Sequence, residues 1–163
     1  MSADAELGQP DSQRWLRAGL ILVVVAGLAI DAYVHLHLAG PYDGVKSSVL
    51  TQGDLFRAEA ALAILAALAL AVHPRRWTAL IAFGVSAGGF ALVLIYQYVN
   101  VGAIGFLPNM YDPVSYPEKT LSIVAEGVAA VAAAILFVLL SRRAAQAGTA
   151  AGTSASPVTS RPS

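Results

Sequence analysis

The sequence contains no cysteine, and only 12% of its 163 residues are charged. The lack of cysteine excludes disulfide bonds, thiolate metal sites and thiol redox chemistry, whatever the compartment. Hydrophobic residues make up 57% of the chain and the mean hydropathy is +0.66, values that are too apolar for an ordinary soluble domain. The chain is therefore predicted to be an integral membrane protein.

The sequence also lacks the short motifs of several enzyme classes. It has no nucleophile motif, no glycine-rich phosphate loop and no nucleotide-binding signature. Its arginine pairs are explained by membrane topology, so nothing indicates binding to nucleic acid. Whether the protein catalyses a reaction stays open at this level.

Four apolar runs dominate the chain, and each has about the 20 residues that a helix needs to cross a bilayer. They predict an all-α membrane protein, a four-helix up-and-down transmembrane bundle, with spans at about 16–38, 55–73, 78–99 and 120–141. The remaining segments are predicted as a disordered arm, two outer loops and a disordered tail, at 1–15, 39–54, 100–119 and 142–163. The composition of the second loop favours a lid that lies on the membrane surface.

Small and polar residues give more local predictions. Asp54 is a plausible N-cap for the second span. The third span carries Gly84-x-x-x-Gly88, with Ser86 between them, as a face that another helix can approach closely. Small residues one and two turns below the intramembrane acids indicate that the acids face other helices, namely Gly27, Ala63, Ala66, Ala130 and Ala133.

Positive charge is distributed unevenly between the two sides of the membrane in this four-span arrangement. One side receives Arg14, Arg17, Arg75, Arg76, Arg142, Arg143 and Arg161, and the other receives Lys46, Arg57 and Lys119. Both tryptophans fall on the arginine-rich side, and all six tyrosines fall on the other. Because cytoplasmic loops carry the excess of Lys and Arg, we expect a multi-pass protein with both termini in the cytoplasm.

The polar groups inside the spans are the candidates for a site, since a charge in hydrocarbon is costly unless it is paired, hydrated or neutralised. Counting about 1.5 Å per residue places Asp31, Glu59 and Glu126 roughly 8–10 Å below the outer boundary. His35 lies four residues after Asp31, on the same helix face, whereas His37 is rotated away. The predicted site is an outward-facing pocket lined by Asp31, His35, Glu59, Glu126 and Tyr96, with Ser122 as an additional candidate and Arg57, Lys119 and Asn100 at the rim.

A structural interpretation competes with this pocket. The carboxyl groups can be neutral and hydrogen-bonded to one another, or Asp31 and His35 can form a pair that sets helix register. Three acids and a histidine at one depth favour a site, because a single polar group would suffice for register. Arg57 and Lys119 are more simply explained as exposed side chains that extend toward the headgroups.

Carboxylates with an imidazole suit three tasks: holding a divalent metal, binding a cationic or hydroxyl-bearing ligand, and moving a proton. The metal candidates are Asp31, His35, Glu59 and Glu126, although the Glu-x-x-His pair of carboxylate-bridged bundles is absent. Haem is not expected, because His73 lies roughly a membrane thickness from His35.

The predicted function is a small membrane protein that binds an ion, a lipid-like molecule or another small ligand in contact with the lipid bilayer. The alternative is a non-enzymatic accessory or structural subunit of a larger membrane complex, or a homo-oligomer, which the Ala/Gly-rich helix faces favour.

Three segments carry a family resemblance: His35-Leu36-His37-Leu38, Gly53-Asp54-Leu55-Phe56-Arg57-Ala58-Glu59, and the loop from Leu107-Pro108-Asn109-Met110-Tyr111-Asp112-Pro113 to Glu118-Lys119. In these the chain resembles small, uncharacterised four-span integral membrane proteins of high-GC Gram-positive, actinobacterial-type bacteria. The resemblance covers the four spans without the two tails. It implies the fold and a location in a bacterial plasma membrane, and it implies no activity, cofactor or catalytic residue.

Overall fold

The structure, a computed structural model, describes the backbone of residues 9–153 and the side chains of residues 12–146. This part of the chain is all-helical, with four long helices: α1 (Gln9–Ala39), α2 (Gln52–Val72), α3 (Arg76–Tyr98) and α4 (Pro117–Thr153). A short 3-10 turn, Pro41–Gly44, follows α1, and two isolated β-bridges close the loops, Lys46 with Thr51 and Ile104 with Leu107.

Each of the four helices contains a segment that is long and apolar enough to span a membrane. These segments are Ser12–Ala39, Gln52–Val72, Arg76–Tyr98 and Pro117–Gln146. Large apolar side chains such as Leu22, Leu65 and Val131 are more than half exposed along the helices. So much exposed apolar surface would be unfavourable in water, and it is compatible with contact to lipid. The prediction of a multi-pass, all-α membrane protein is confirmed at this level.

Small side chains form the contacts between the helices. α1 packs extensively against α2 and α4, and α3 packs against α4, whereas the contact between α2 and α3 is smaller. Ala63, Ala66 and Ala133 are buried at these contacts, as their positions below the acids predict. At Gly27 a Cβ atom would lie 2.8 Å from the Cβ of Ala129, so only glycine permits the close approach of α1 and α4.

The small-residue face predicted on α3 is placed differently. Among the described residues, nothing lies within 4 Å of a Cβ built at Gly84 or Gly88. Ser86 of the predicted face is buried, but the buried glycine beside it is Gly89 rather than Gly84 or Gly88. The spacing identified the right helix, but rotation of α3 by one residue changes which glycines meet a neighbour.

The start of α2 corrects a second expectation. Thr51, rather than Asp54, is the N-cap residue, and Asp54 occupies the third helical position of a capping box. The Asp54 amide donates to Thr51 Oγ1 at 2.9 Å, and the Thr51 amide donates to Asp54 Oδ2 at 3.0 Å. The reciprocal bonds satisfy two amides at the helix end, so α2 begins earlier than the apolar run suggests.

The two longer connections meet at one end of the bundle, called here the loop end. Tyr42, in the first connection, bonds Asp112 and Tyr116 at the end of the second connection, and Ser47 donates to the Phe106 carbonyl at 2.7 Å. At the other end, Arg143 of α4 donates to Gln13 of α1 at 2.7 Å.

α1 begins before its predicted span, at Gln9, and α4 continues after its predicted span, to Thr153. Gln and Arg in the first extension, and Ala, Arg and Gln in the second, support further helical turns. The rest of the predicted arm and tail, 1–8 and 154–163, lies outside the described residues.

Candidate functional site

Asp31 and His35 form the polar centre of α1 near the loop end. The spacing of four residues puts them on one helix face, where His35 Nδ1 lies 2.9 Å from Asp31 Oδ1 and 3.1 Å from the Asp31 carbonyl oxygen. Ser122 of α4 donates to the same carboxylate oxygen at 2.8 Å. Asp31 thus fixes Nδ1 of the imidazole, which leaves Nε2 as the nitrogen available to a further partner.

Glu126 lies beside this pair, one turn after Ser122 on α4. Asp31, His35 and Glu126 each offer one atom that could bind a metal ion, and these three atoms lie within 4.8 Å of one another. The Glu126 residue is 1% exposed, and neither of its carboxyl oxygens has a hydrogen-bond partner of good geometry among the described residues. A buried carboxyl group without a well-formed hydrogen bond is unfavourable, and Glu126 also adjoins the carboxyl group of Asp31, so it is the clearest polar anomaly of the bundle.

Glu59 approaches from α2, so the acids of three helices adjoin. Gly89 of α3 lies between two of them, since a Cβ atom there would contact Glu126 Oε1 and would lie 3.3 Å from Glu59 Oε1. Oε1 of Glu59 is also buried without a hydrogen-bond partner in the described part of the chain. The missing side chain of Gly89 is therefore what gives both carboxyl groups their space.

A cavity of about 310 Å³ opens next to these acids, mainly between α2 and α3. Its polar lining includes His35, Glu59, Gln97 and Ser122, and its walls are mostly apolar side chains of α2 and α3. The loop from α3 to α4 closes it at the loop end with Leu107, Met110, Asp112 and Tyr116. An apolar space with a few convergent polar groups is the usual form of a small-molecule site.

Lys119 and Asp112 form an ion pair at the loop-end wall of the cavity. Lys119 Nζ lies 2.9 Å from Asp112 Oδ2, and it donates to the carbonyl oxygens of Asp112 and Val114 at 2.6 and 2.8 Å. Burial raises the pKa of Asp112, but the hydrogen bond and charge of Lys119 outweigh it, so that the pKa lies below its ordinary value. Asp112 is therefore a stable anion.

Two tyrosines extend this ion pair into a network. The Tyr42 hydroxyl donates to Asp112 Oδ2 at 3.1 Å and lies 2.9 Å from the Tyr116 hydroxyl, which donates to it in turn. Burial raises the pKa of both phenols, and the nearby Asp112 charge acts in the same direction. Both tyrosines consequently stay neutral and keep their donor protons.

The structure places the predicted site residues in three groups. Asp31, His35 and Glu126 meet directly, and Glu59 adjoins them across Gly89. Tyr96 and Ser122 line the cavity, as does Lys119, which is buried rather than extended toward headgroups. Arg57 and Asn100 do not line it within the described residues.

Arg57 and Asn100 have other partners. The Arg57 guanidinium bonds both oxygens of Asp43 at 2.9 and 2.8 Å and also reaches Asp54 at 3.2 Å. Its hydrogen bond is the main reason why the pKa of Asp43 lies below the ordinary value. Asn100 Oδ1 accepts from Asn109 and from the Gly102 amide, each at 3.2 Å, within an exposed loop.

Several functional candidates were not predicted from the sequence. Gly89, Gln97, Asp112 and Tyr116 all line the cavity. The loop motif Leu107 to Pro113 gave a partial signal, because its aromatic and proline content predicted a lid. Gln97 gave a weaker one, as a polar residue at the end of an apolar span.

A metal ion has one set of candidate ligands in the described chain: Asp31, His35 and Glu126. Oxygen and imidazole ligands suit several divalent metals. His35 Nδ1 is already engaged with Asp31, so a metal would have to take Nε2 or displace that contact.

Comparison with known proteins finds no matching protein family, no matching curated protein and no matching solved structure. The class of protein is thus defined by the fold and the site: a multi-pass helical membrane protein with a buried Asp/His/Glu group beside a cavity.

Proposed function

We propose that this protein binds a small lipid-like ligand in the cavity between α2 and α3. The membrane arrangement in this proposal is an up-and-down bundle with both termini in the cytoplasm, so that the loop end faces outward in a bacterial plasma membrane. The observation that carries the proposal is the cavity of about 310 Å³, which has apolar walls and ends on Glu59 and His35.

The position of the cavity supports a ligand from the bilayer. Leu62 of α2 and Leu92 of α3 line the cavity, and they are 52% and 51% exposed. Half-exposed side chains in the cavity wall support an opening between these helices. The smaller contact between α2 and α3 fits this opening. An apolar molecule can reach such a site from lipid without crossing water.

The site residues have distinct roles in this proposal. Apolar side chains of α2 and α3 hold the body of the ligand, and the Asp31, His35, Glu59 and Glu126 group receives its polar end. The ion pair of Lys119 with Asp112 and the tyrosine network hold the loop over the cavity.

The test is native mass spectrometry of protein extracted in a mild detergent, with identification of co-purified molecules. Val93→Trp fills the cavity from a half-buried lining position, and Ile95→Trp places the same side chain on the exposed side of α3. We expect a lipid-like adduct on the wild type and on Ile95→Trp, and its loss from a folded Val93→Trp.

Two results would contradict this function. An adduct retained by Val93→Trp would place the molecule elsewhere on the surface. A wild-type protein without any adduct that co-isolates stoichiometrically with a larger membrane complex would favour the accessory subunit.

A further inference from the structure

Around the cavity, the buried polar atoms without hydrogen-bond partners are carboxyl and amide oxygens. The described chain contains six such side-chain oxygens, and four of them belong to carboxyl or amide groups: Glu59 Oε1, both oxygens of Glu126, and Gln97 Oε1. Glu59 and Gln97 line the cavity, and Glu126 lies next to Gly89, which also lines it. The unused hydrogen-bonding capacity at this site is therefore acceptor capacity.

Several donors near the acids are engaged within the protein. The ammonium group of Lys119 has three N–H bonds, and it has three acceptors: two backbone carbonyls and the Asp112 carboxylate. The amide nitrogen of Gln97 donates to Ser115 Oγ at 3.0 Å, and the Ser122 hydroxyl donates to Asp31. His35 directs Nδ1 to Asp31. An anionic ligand would therefore find the ammonium group of Lys119 and the hydroxyl of Ser122 occupied.

The distribution of charge also favours a ligand that brings donors and positive charge. Asp31 contacts His35, and Asp112 forms an ion pair with Lys119, so each of these two acids already has a basic partner. Glu59 and Glu126 have no cation of this kind in the described residues, and Arg57 is engaged with Asp43 and Asp54. A ligand that brings positive charge and N–H donors would pair with both acids and donate hydrogen bonds to their carboxyl oxygens.

The shape of the cavity favours an organic cation over a bare metal ion. A metal at the acids would leave the apolar walls between Leu62 and Leu92 without a partner over most of the cavity. A molecule with an alkyl tail would occupy that space and extend through the opening between α2 and α3 into lipid. The tail buries apolar area while the head meets the acids.

We propose that the ligand is a lipophilic amine, whose protonated primary or secondary ammonium group binds Glu59 and Glu126 and whose apolar tail lies between α2 and α3. This inference rests on the proposed function and adds the chemical class of the ligand. It excludes phosphate-bearing and carboxylate-bearing lipids, which would place a second negative charge beside unpaired acids.

The experiment compares three amphiphiles with one tail and different heads, dodecylamine, dodecanol and dodecyl phosphate, each titrated below its micelle concentration into the wild-type protein. Binding is measured as fractional occupancy by native mass spectrometry. We expect dodecylamine to bind at least about tenfold more tightly than dodecanol, and dodecyl phosphate to bind more weakly than both. A fourth titration uses zinc chloride alone.

Matched variants connect the preference to the acids. Glu59→Gln removes the charge at a position that is only partly buried, and we expect it to lower amine binding about tenfold while dodecanol binding is unchanged. Glu118→Gln makes the same change outside the cavity lining and should behave as the wild type. Because the wild-type comparison needs no variant, the inference can be tested even if a variant fails to fold.

The failures of the two proposals can be told apart. Equal binding of all three amphiphiles, or a preference for the phosphate, would overturn the amine and leave the lipid-binding cavity standing. Zinc binding without amine binding would overturn the amine in favour of a metal site. Binding of no amphiphile at all would overturn the cavity's function together with the inference.

Discussion

Gly89 is the residue whose replacement tests the geometry of the acids most directly. A Cβ atom at this position would contact Glu126 Oε1, and it would lie 3.1 Å from the Glu126 carboxyl carbon and 3.3 Å from Glu59 Oε1. We expect Gly89→Ala to displace these buried groups and to lower the free energy of unfolding by about 1–3 kcal/mol, the usual cost of an added methyl group in a packed core.

Gly88, the neighbour of Gly89 on α3, supplies the control. Gly88→Ala adds the same methyl group where nothing described lies within 4 Å, so it should be neutral or stabilising through helix propensity alone. Thermal unfolding of the purified variants in one detergent measures both effects. Equal stability of the two variants would mean that the acids do not meet at Gly89.

At the residue scale, counting residues along the helices predicts the depth of the acids but not which glycine lies beside them. The rise per residue is the same in every helix, so the common depth of Asp31, Glu59 and Glu126 follows from the chain alone. The role of Gly89 does not, because it depends on the rotation of α3 about its axis. A single residue of rotation decides whether Gly88 or Gly89 faces the acids.

The loop between α3 and α4 is the element whose attachment depends on pH. Asp112 receives hydrogen bonds from Lys119 and Tyr42, and its pKa is lowered in the folded protein. The stabilisation from a lowered carboxyl pKa is fully present above the ordinary Asp value of about 3.9 and is lost as the pH falls through the folded value. The loop is therefore expected to be held at neutral pH and to loosen in acid below about pH 4.

Hydrogen exchange of the loop, corrected for the intrinsic dependence on pH, measures this attachment. Asp112→Asn removes the charge, so exchange should be faster at neutral pH and should lose its acid transition. Asp43→Asn is the control, because Asp43 pairs with Arg57 in the other connection. An acid transition that persists in Asp112→Asn would assign the attachment to another group.

At the scale of elements, the helices were more predictable than their ends and connections. Apolar run lengths predict four helices because each must satisfy its backbone internally in lipid. The first turn of α2 was predicted with the wrong cap, since Thr51 and Asp54 are both good capping residues and only the reciprocal bonds distinguish them. The sequence predicts an exposed Lys119, whereas the structure buries it. Its partners are loop carbonyl oxygens that fold back over α4, and spacing along the chain does not indicate this tertiary contact.

Orientation belongs to the whole molecule and follows from the distribution of arginine. The two ends of the bundle are distinguished by contacts: Gln13 meets Arg143 at one, and Tyr42 meets Asp112 at the other. The first of these ends carries most of the arginines, and moving such an end across the membrane is unfavourable. We therefore expect the loop end, and with it the lid over the cavity, to lie outside the cell.

The absence of cysteine makes this orientation measurable without background. Ser48→Cys introduces a single thiol in the exposed first connection, and Ala144→Cys introduces one on the exposed surface of α4 at the opposite end. A membrane-impermeant maleimide should label the first variant in intact cells and the second only after permeabilisation. The reverse pattern would place the loop end in the cytoplasm, and a ligand taken from the outer leaflet would then have no path to the opening between α2 and α3. Labelling of both variants in intact cells would contradict the three spans, α2, α3 and α4, that separate the two positions, because an odd number of spans places them in opposite compartments.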